Sequence, residues 1–533
     1  MSQRLLHTIL IGLVGMYSTN LFSQKAWVNP DFVMNGLPFT MSHNPCGLCW
    51  MDSLNLSQAH LGLTKKKGGL VNYHQSDDDF KVMANANSIF HFNKKLVLKG
   101  EMGYSYYEGK NMSGSALISP YDNAFNITEF DTSNQGKKKL EKYHILGEVG
   151  YQFHKGLVVG GSFDLVSANY SKMKDLRHSN TLSNIMVDLG MAYDIHPKFS
   201  IGACYHYTKS IEDILFRRYS ISEKHYDMLI TAGGFWGQRK SYDEHVGMIS
   251  TEEKPMINKS HGGSLQLQFQ PSNKLLLFME ASYEDLKGSY GIKSPTSIEY
   301  LYHTGKKYGL SFNAVIKPTR TSRHTASLNM ESTSRDNYQN VYTETVNDDY
   351  VTEVTYHDAL FKGKNKIQSV QATYRYDWDI VDYQPLWSVD VRALITNLDR
   401  KGESYPYYRK DQITAMDLQM TGDKSFLKDS NKWSLKLSVG YHDGLKDLLE
   451  DKSYLPNPTQ AQPKEADVML NREREFLGTP QLMLSPSFGY SRQFKQLTAF
   501  VEGSYSFKKS LKDIKYLSNG HQHRVQITLG LIL

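Results

Sequence analysis

The final residues, "HRVQITLGLIL" (His523–Leu533), place Val525, Ile527, Leu529, Leu531 and Leu533 on one side of the chain. Gln526, Thr528, Gly530 and Ile532 fall on the other. A period of two is the mark of an extended strand, because successive side chains point to opposite faces. The preceding segment repeats it. Leu497, Ala499, Val501, Gly503, Tyr505 and Phe507 alternate with Thr498, Phe500, Glu502, Ser504 and Ser506. The same alternation returns in residues 96–106, 143–153, 187–195, 387–395 and 433–441.

Half-buried strands of soluble sandwiches also alternate, so further features must decide. The runs are about 9–12 residues long, the length a tilted strand needs to cross a bilayer. Their apolar faces often end in Tyr, Phe or Trp, as an interfacial girdle requires. Short connections (residues 92–95, 153–156, 195–198, 270–274, 317–323 and 492–496) are interleaved with long ones (109–141, 210–260, 334–366 and 443–478). Lipid offers no hydrogen bonds, so a membrane sheet must close on itself. The pattern therefore predicts an all-β fold. It is a transmembrane, antiparallel, up-and-down barrel of about 18 strands, with 14 or 16 as alternatives. Its turns are expected to be periplasmic and its long loops extracellular, with the N-terminal segment as a plug.

Composition agrees with export. The chain has 533 residues, net charge +6, and 35 Tyr against 3 Cys; its mean hydropathy is −0.49. Scattered and matched charges exclude a nucleic-acid surface. Arg4 followed by the apolar run Leu5–Tyr17 reads as a secretory signal ending near Ser23, which is too short to span a bilayer. The expected division is 1–23 signal peptide, 24–53 hatch or plug, and 54–533 barrel. The destination is the outer membrane of a Gram-negative bacterium. Its lipid and the barrel assembly machinery are the first partners.

The polar faces would line the lumen. They carry Glu101, Glu148, Asp188, Asp390 and Glu502 against Arg375, Arg392, Lys436 and Arg524. Mixed charge of this kind argues against a strongly ion-selective pore, which needs rings of one sign. Inward Ser162, His144 and Asp188 are what any polar lumen contains, so no catalytic constellation is assigned. Cys204 and His206 are both inward, but sequence alone does not complete a coordination shell around them. No cofactor or metal is expected.

One stretch stands apart: "HNPCGLCWM" (His43–Met51) holds Cys46 and Cys49 just before the first strand. An exported barrel removes the cytosolic Cys-x-x-Cys redox reading, and a zinc site lacks a second pair. What remains is a turn directed by Pro45 and Gly47, with two small buried residues or a local disulfide. This stretch, with Asn44, Pro45, Cys46, Gly47 and Cys49, resembles the Asn-Pro-Ala hatch of the long-chain fatty-acid transporter family, with Cys46 in place of Ala. The whole chain is similar to an uncharacterised family of outer-membrane β-barrels of about this length. These resemblances imply a channel or uptake component for an unidentified solute. The alternatives are a loop-mediated partner of a surface lipoprotein or TonB-dependent transporter, and, less favoured, a barrel enzyme.

Overall fold

The computed structural model describes residues 27–51, 54–129, 131–220, 224–346, 348–350, 352–464, 466–495 and 497–533. The expected signal peptide, and residues 24–26 and 52–53 of the expected hatch, lie outside these. In chain order the strands begin with β1 (Leu56–Lys67), β2 (Asp78–His91), β3 (Leu96–Met112), β4 (Gly114–Ser115), β5 (Asn126–Glu129), β6 (Gly136–His154) and β7 (Leu157–Lys172). Next come β8 (Arg177–His196), β9 (Phe199–Arg217), β10 (Asp227–Gly233), β11 (Trp236–Ser241), β12 (Lys254–Ser272), β13 (Leu275–Ser294), β14 (Ser297–Thr319) and β15 (Ser322–Val346). The chain ends with β16 (Thr352–Val381), β17 (Gln384–Ser404), β18 (Tyr407–Lys428), β19 (Asn431–Ser453), β20 (Gln481–Gln493), β21 (Thr498–Ser510) and β22 (His521–Ile532).

Eighteen of these form one antiparallel sheet, among the described residues. β1 pairs with β22, Leu61 opposite Leu529, so the sheet closes and no edge is left unpaired. β9 pairs directly with β12, Tyr207 opposite His261, which expels β10 and β11 from the wall. Those two join β5 and β4 in a separate four-stranded sheet. No described helix is long and apolar enough to cross a membrane.

The outer surface carries the apolar half of the alternation. Leu189, Leu265, Val525, Ile527 and Leu529 are all exposed, as a surface facing acyl chains must be. Aromatic pairs bound the band. Trp378 stacks on Trp387 at 5.7 Å and Trp433 meets Tyr490 at 5.9 Å near the short connections. Tyr104–Tyr143 and Tyr283–Tyr308, at 5.2 and 5.3 Å, mark the other side. On β6, Tyr143 and Phe153 enclose the height of about 25 Å expected of such a band.

Two connections differ from the sequence expectation. Residues 334–366 are not a long loop; β15 and β16 continue through most of them, pairing from Ser334–Lys366 up to Val346–Thr352. Above the lipid neither face has an apolar medium to meet, so alternation fades while backbone pairing goes on. For the same reason β19 runs to Ser453 before the chain leaves the wall. A helix, Asp467–Gly478, follows it.

The inner face is not uniformly polar. Toward the short turns it carries Ile89, Val97, Val158, Ala192 and Phe278, all buried. Its middle carries Asp188, His206, Ser264, Gln266 and Glu280. Toward the loop end it turns apolar again with Ile214, Phe216, Met256 and Tyr290. Each apolar band has a cover. At the loop end the small sheet folds inward and packs Phe125, Ile127, Met228 and Ile230 against it. The helix adds Met469 and Leu470, which meet Tyr73, Leu229 and Phe235. Buried charges bolt this cap down. Arg400 Nη2 is 2.5 Å from Glu473 Oε2 and also pairs with Asp411, while Arg474 Nη1 reaches Asp411 Oδ1 at 2.6 Å.

Candidate functional site

The other cover is the segment Trp27–Met51. Its start is tied to the β16–β17 turn: Tyr383 N donates to the Trp27 carbonyl and Asn29 N to the Tyr383 carbonyl, both at 3.2 Å. Asn29 then caps the short helix Pro30–Asn35 through its side chain. Arg323 lies over the Phe32 ring, donates from Nη1 to the Phe32 carbonyl at 2.7 Å, and keeps its other arm near Asp377.

The Asn-Pro-Cys-Gly-Leu-Cys motif is the innermost part. Asn44 Oδ1 accepts from Cys46 N at 3.0 Å and so caps the 3₁₀ turn Pro45–Trp50; Pro45, which has no N–H to lose, starts it. Asn44 Nδ2 lies within hydrogen-bond distance of the Met191 and Ala203 carbonyls (3.2 Å each) and of Gln266 Oε1 (3.0 Å). One side chain therefore both shapes the turn and docks it. Gly47 has to be glycine: a Cβ there would lie 2.7 Å from the Phe39 carbonyl carbon, because the chain doubles back on itself.

The wall accommodates the motif by omission. Gly150, Gly160 and Gly190 stand opposite one another on β6, β7 and β8. A Cβ on Gly150 would meet Cys49 Sγ at 2.9 Å, and one on Gly160 would meet Cys46 N at 3.0 Å. Around this shallow track Phe39 and Cys46 pack on Val158, Ala192 and Phe278, and Leu48 packs on Ile89 and Val97. Cys46 and Cys49 are both free thiols. Burial pushes Cys46 up to about 12, helped by Cys49 beside it, and pushes Cys49 up to about 11. Neither is a thiolate nucleophile at neutral pH.

On the loop side of the plug lies a continuous polar chain. Ser162 Oγ donates to Asp188 Oδ2 at 2.8 Å. His206 Nδ1 lies 2.7 Å from Asp188 Oδ1, and Ser264 Oγ lies 2.8 Å from His206 Nε2. A carboxylate only accepts, so His206 carries its proton on Nδ1 and accepts from Ser264. Gln266 Nε2 donates to Ser264 Oγ at 2.6 Å and to Glu280 Oε1 at 2.7 Å. Sequence reasoning found Ser162, Asp188 and His206 as inward residues but not their union. Ser264 and Gln266 escaped it altogether. His144, considered beside Asp188, bonds to Asp164 instead, at 3.1 Å.

Above this chain is a chamber of about 830 Å³, reaching from His43 of the plug to Asp122 and Asn123 of the cap. Both charge signs line it: Glu280, Glu284 and Glu331 with Lys259, Lys307 and Arg335. A second cavity of about 590 Å³ lies at the turn end among Phe32, Leu37, Met51, Lys317 and Arg320. The two share no lining residue, and the plug contributes to both.

The remaining lumen charges are locally paired. Lys99 Nζ lies 3.6 Å from Glu101 and 3.0 Å from Glu148. Arg375 bonds Asp377 at 2.8 Å, Arg392 reaches Gln371 at 2.7 Å, and Ser487 donates to Glu502 at 2.7 Å. Asp390 feels Arg375, Arg392 and Lys436 together. Arg524 contacts Gln526 at 3.0 Å. None of these belongs to the chain around Asp188.

Comparison with solved structures returns other barrels. The ferric preacinetobactin receptor BauA of Acinetobacter baumannii has TM-score 0.41 and 8% identity, over 90% of this chain and 80% of that one. The ferric-catecholate import receptor Fiu of E. coli K12 has TM-score 0.36 and 7% identity, over 89% and 81%. The toluene transporter TodX of Pseudomonas putida has TM-score 0.29 and 11% identity, over 96% and 99%. No curated protein matches. The match to a family model is broad, beginning at Pro45 inside the plug motif and running through every strand to Leu533, and by it the chain belongs to a family of unknown function, DUF6850.

Proposed function

We propose that the protein is an outer-membrane uptake channel, and not an enzyme, in which Trp27–Met51 stops the periplasmic mouth. The observation that carries this reading is the plug between two cavities that share no wall. A small polar solute held in the chamber would leave toward the periplasm only when the plug shifts. The plug is suited to shifting: its inner end rests on a glycine track and one asparagine, without a buried ion pair of its own. The chamber's mixed charge fits a neutral or zwitterionic polar solute better than a simple ion. Deleting residues 24–53 and reconstituting the barrel in liposomes should raise solute permeability. Unchanged permeability in a correctly folded barrel overturns the reading.

A second reading has one observation in its favour. The β15–β16 pair rises above the lipid band and ends in exposed Val346 and Tyr350, with Tyr405 exposed on the neighbouring β17–β18 turn. Such a rim suits docking of a surface lipoprotein or a TonB-dependent receptor. Trimming the hairpin tip should then abolish co-purification of a stoichiometric partner from solubilised outer membranes. Recovery of no such partner with the intact protein overturns it.

A further inference from the structure

We propose that Asp188, Cys204 and His206, with His43 of the plug lying over them, bind a transition-metal dication of the zinc class. The wall brings the three together by register. Cys204 and His206 are two apart on β9 and share its inner face, and Asp188 stands directly opposite His206 on β8. Their ligand atoms all lie within 4.8 Å of one another, and all three residues are buried. Cys204 Sγ is 3.8 Å from His206 Nδ1, close to the separation of two ligands around one tetrahedral ion. Opposite Cys204 the wall has Gly190, so space over the thiol is filled by the plug. There His43 brings its ring to 5.5 Å from that of His206, and its carbonyl to 3.6 Å from Cys204 Sγ.

A hydrogen-bonded Asp–His clamp would account for Asp188 and His206; the Cys204 thiol, which donates to the His43 carbonyl, adds a soft donor beside Nδ1. The mixed N, S and O donors select a borderline ion of the zinc type over Mg²⁺ or Ca²⁺, which want oxygen alone. The outer supports are present too. Ser162 holds the second oxygen of Asp188, and Ser264 holds the second nitrogen of His206. On binding, Cys204 gives up its proton to solvent. The His206 proton moves from Nδ1 to Nε2, where Ser264 then accepts it. Net release is about one proton per ion. Such an ion would tie the plug to the wall, but its binding does not depend on the channel reading and is measured without any transport.

The test uses the full barrel, folded in detergent and kept reduced. Titration with ZnCl₂ alone should saturate at one ion per chain, and CoCl₂ should produce the thiolate-to-cobalt charge-transfer absorption of a tetrahedral site. Zn²⁺ should also shield Cys204, and not Cys49, from alkylation in the wild-type protein, a readout that needs no variant to fold. Losing even a supporting group costs about 10–100-fold in affinity. Cys204→Ser and His206→Ala should therefore weaken binding by at least about 100-fold, and Cys204→Ser should abolish the cobalt band. His43→Ala should weaken binding while keeping that band. No stoichiometric binding, no protection of Cys204, or a cobalt band that survives Cys204→Ser overturns the proposal.

Discussion

The segments that fill the two ends of the lumen are held by different physics. At the loop end, the small sheet and the helix Asp467–Gly478 are held by a broad apolar core and by a buried network of Arg400, Asp411, Glu473 and Arg474. At the turn end, the plug rests on a few rings, a glycine track, Asn44 and one wall guanidinium, Arg323. A buried ion network tolerates no partial opening, since each separated charge is left unsolvated. A small apolar seat with a few hydrogen bonds can release and re-form at modest cost, and Arg323 keeps its wall partner Asp377 when the plug leaves. The cap is built as a fixed lining of the chamber on its loop side and the plug as a removable stopper on its turn side.

The harshest way to break that contrast is Arg400→Met. It leaves Glu473 without its cation and Asp411 with Arg474 alone, both carboxylates fully buried, and removing one partner of such a network costs about 3–5 kcal/mol. The expected outcome is a loosened cap, seen as rapid protease cleavage in the helix Asp467–Gly478 and a lowered melting temperature. A cap that stays resistant to protease would put both ends on the same footing. Next in size is Gly150→Val. The added side chain meets only plug atoms, Cys49 Sγ at 2.9 Å and Leu48 Cβ at 3.3 Å, so the barrel strand itself keeps its pairing. Overpacking of this kind costs about 1–3 kcal/mol. It should unseat the plug, raise Cys46 and Cys49 alkylation by about tenfold or more, and leave the barrel's melting almost unchanged. A barrel that melts early would mean that plug and wall are one cooperative unit.

The contrast also explains what the sequence made legible. The barrel was readable because lipid on one side and water on the other impose alternation over every span, from Val525–Leu529 back to Leu96–Tyr106. The turn at Asn44, Pro45 and Gly47 was readable because these residues act locally, by capping and turning. The cap was not readable. Ile214, Phe216 and Tyr290 face inward and are apolar, and their reason is a sheet built from residues far away in the chain. The polar chain around His206 was half-legible. Asp188 and His206 could be placed on the inner face, but Ser264 joins them only because β9 pairs with β12 across the excursion that holds β10 and β11. Inward glycines were the missed signal. Gly150 and Gly190 sit in the polar half of their strands, where a glycine contributes neither packing nor hydrogen bonding unless another chain lies against it.

The mildest probe of the plug is pH. Seating raises Cys49 to about 11 and Cys46 to about 12 from an ordinary 9.0, chiefly by taking both thiols out of water. An unseated thiol ionises first as pH rises. The seat's advantage is therefore whole below the ordinary value and declines as pH climbs through it toward the raised values. Near neutral pH no change in plug occupancy is expected. Between about pH 8 and about pH 10, permeability of the reconstituted wild-type barrel should rise, and the rise should vanish in Cys46→Ser/Cys49→Ser, where neither plug thiol remains to ionise. The cap supplies the control, because its charges keep their partners over that range. Protease resistance of the helix Asp467–Gly478 should stay constant while permeability moves. A double variant with the same pH response as wild type would place the gate somewhere other than the Asn-Pro-Cys-Gly-Leu-Cys turn.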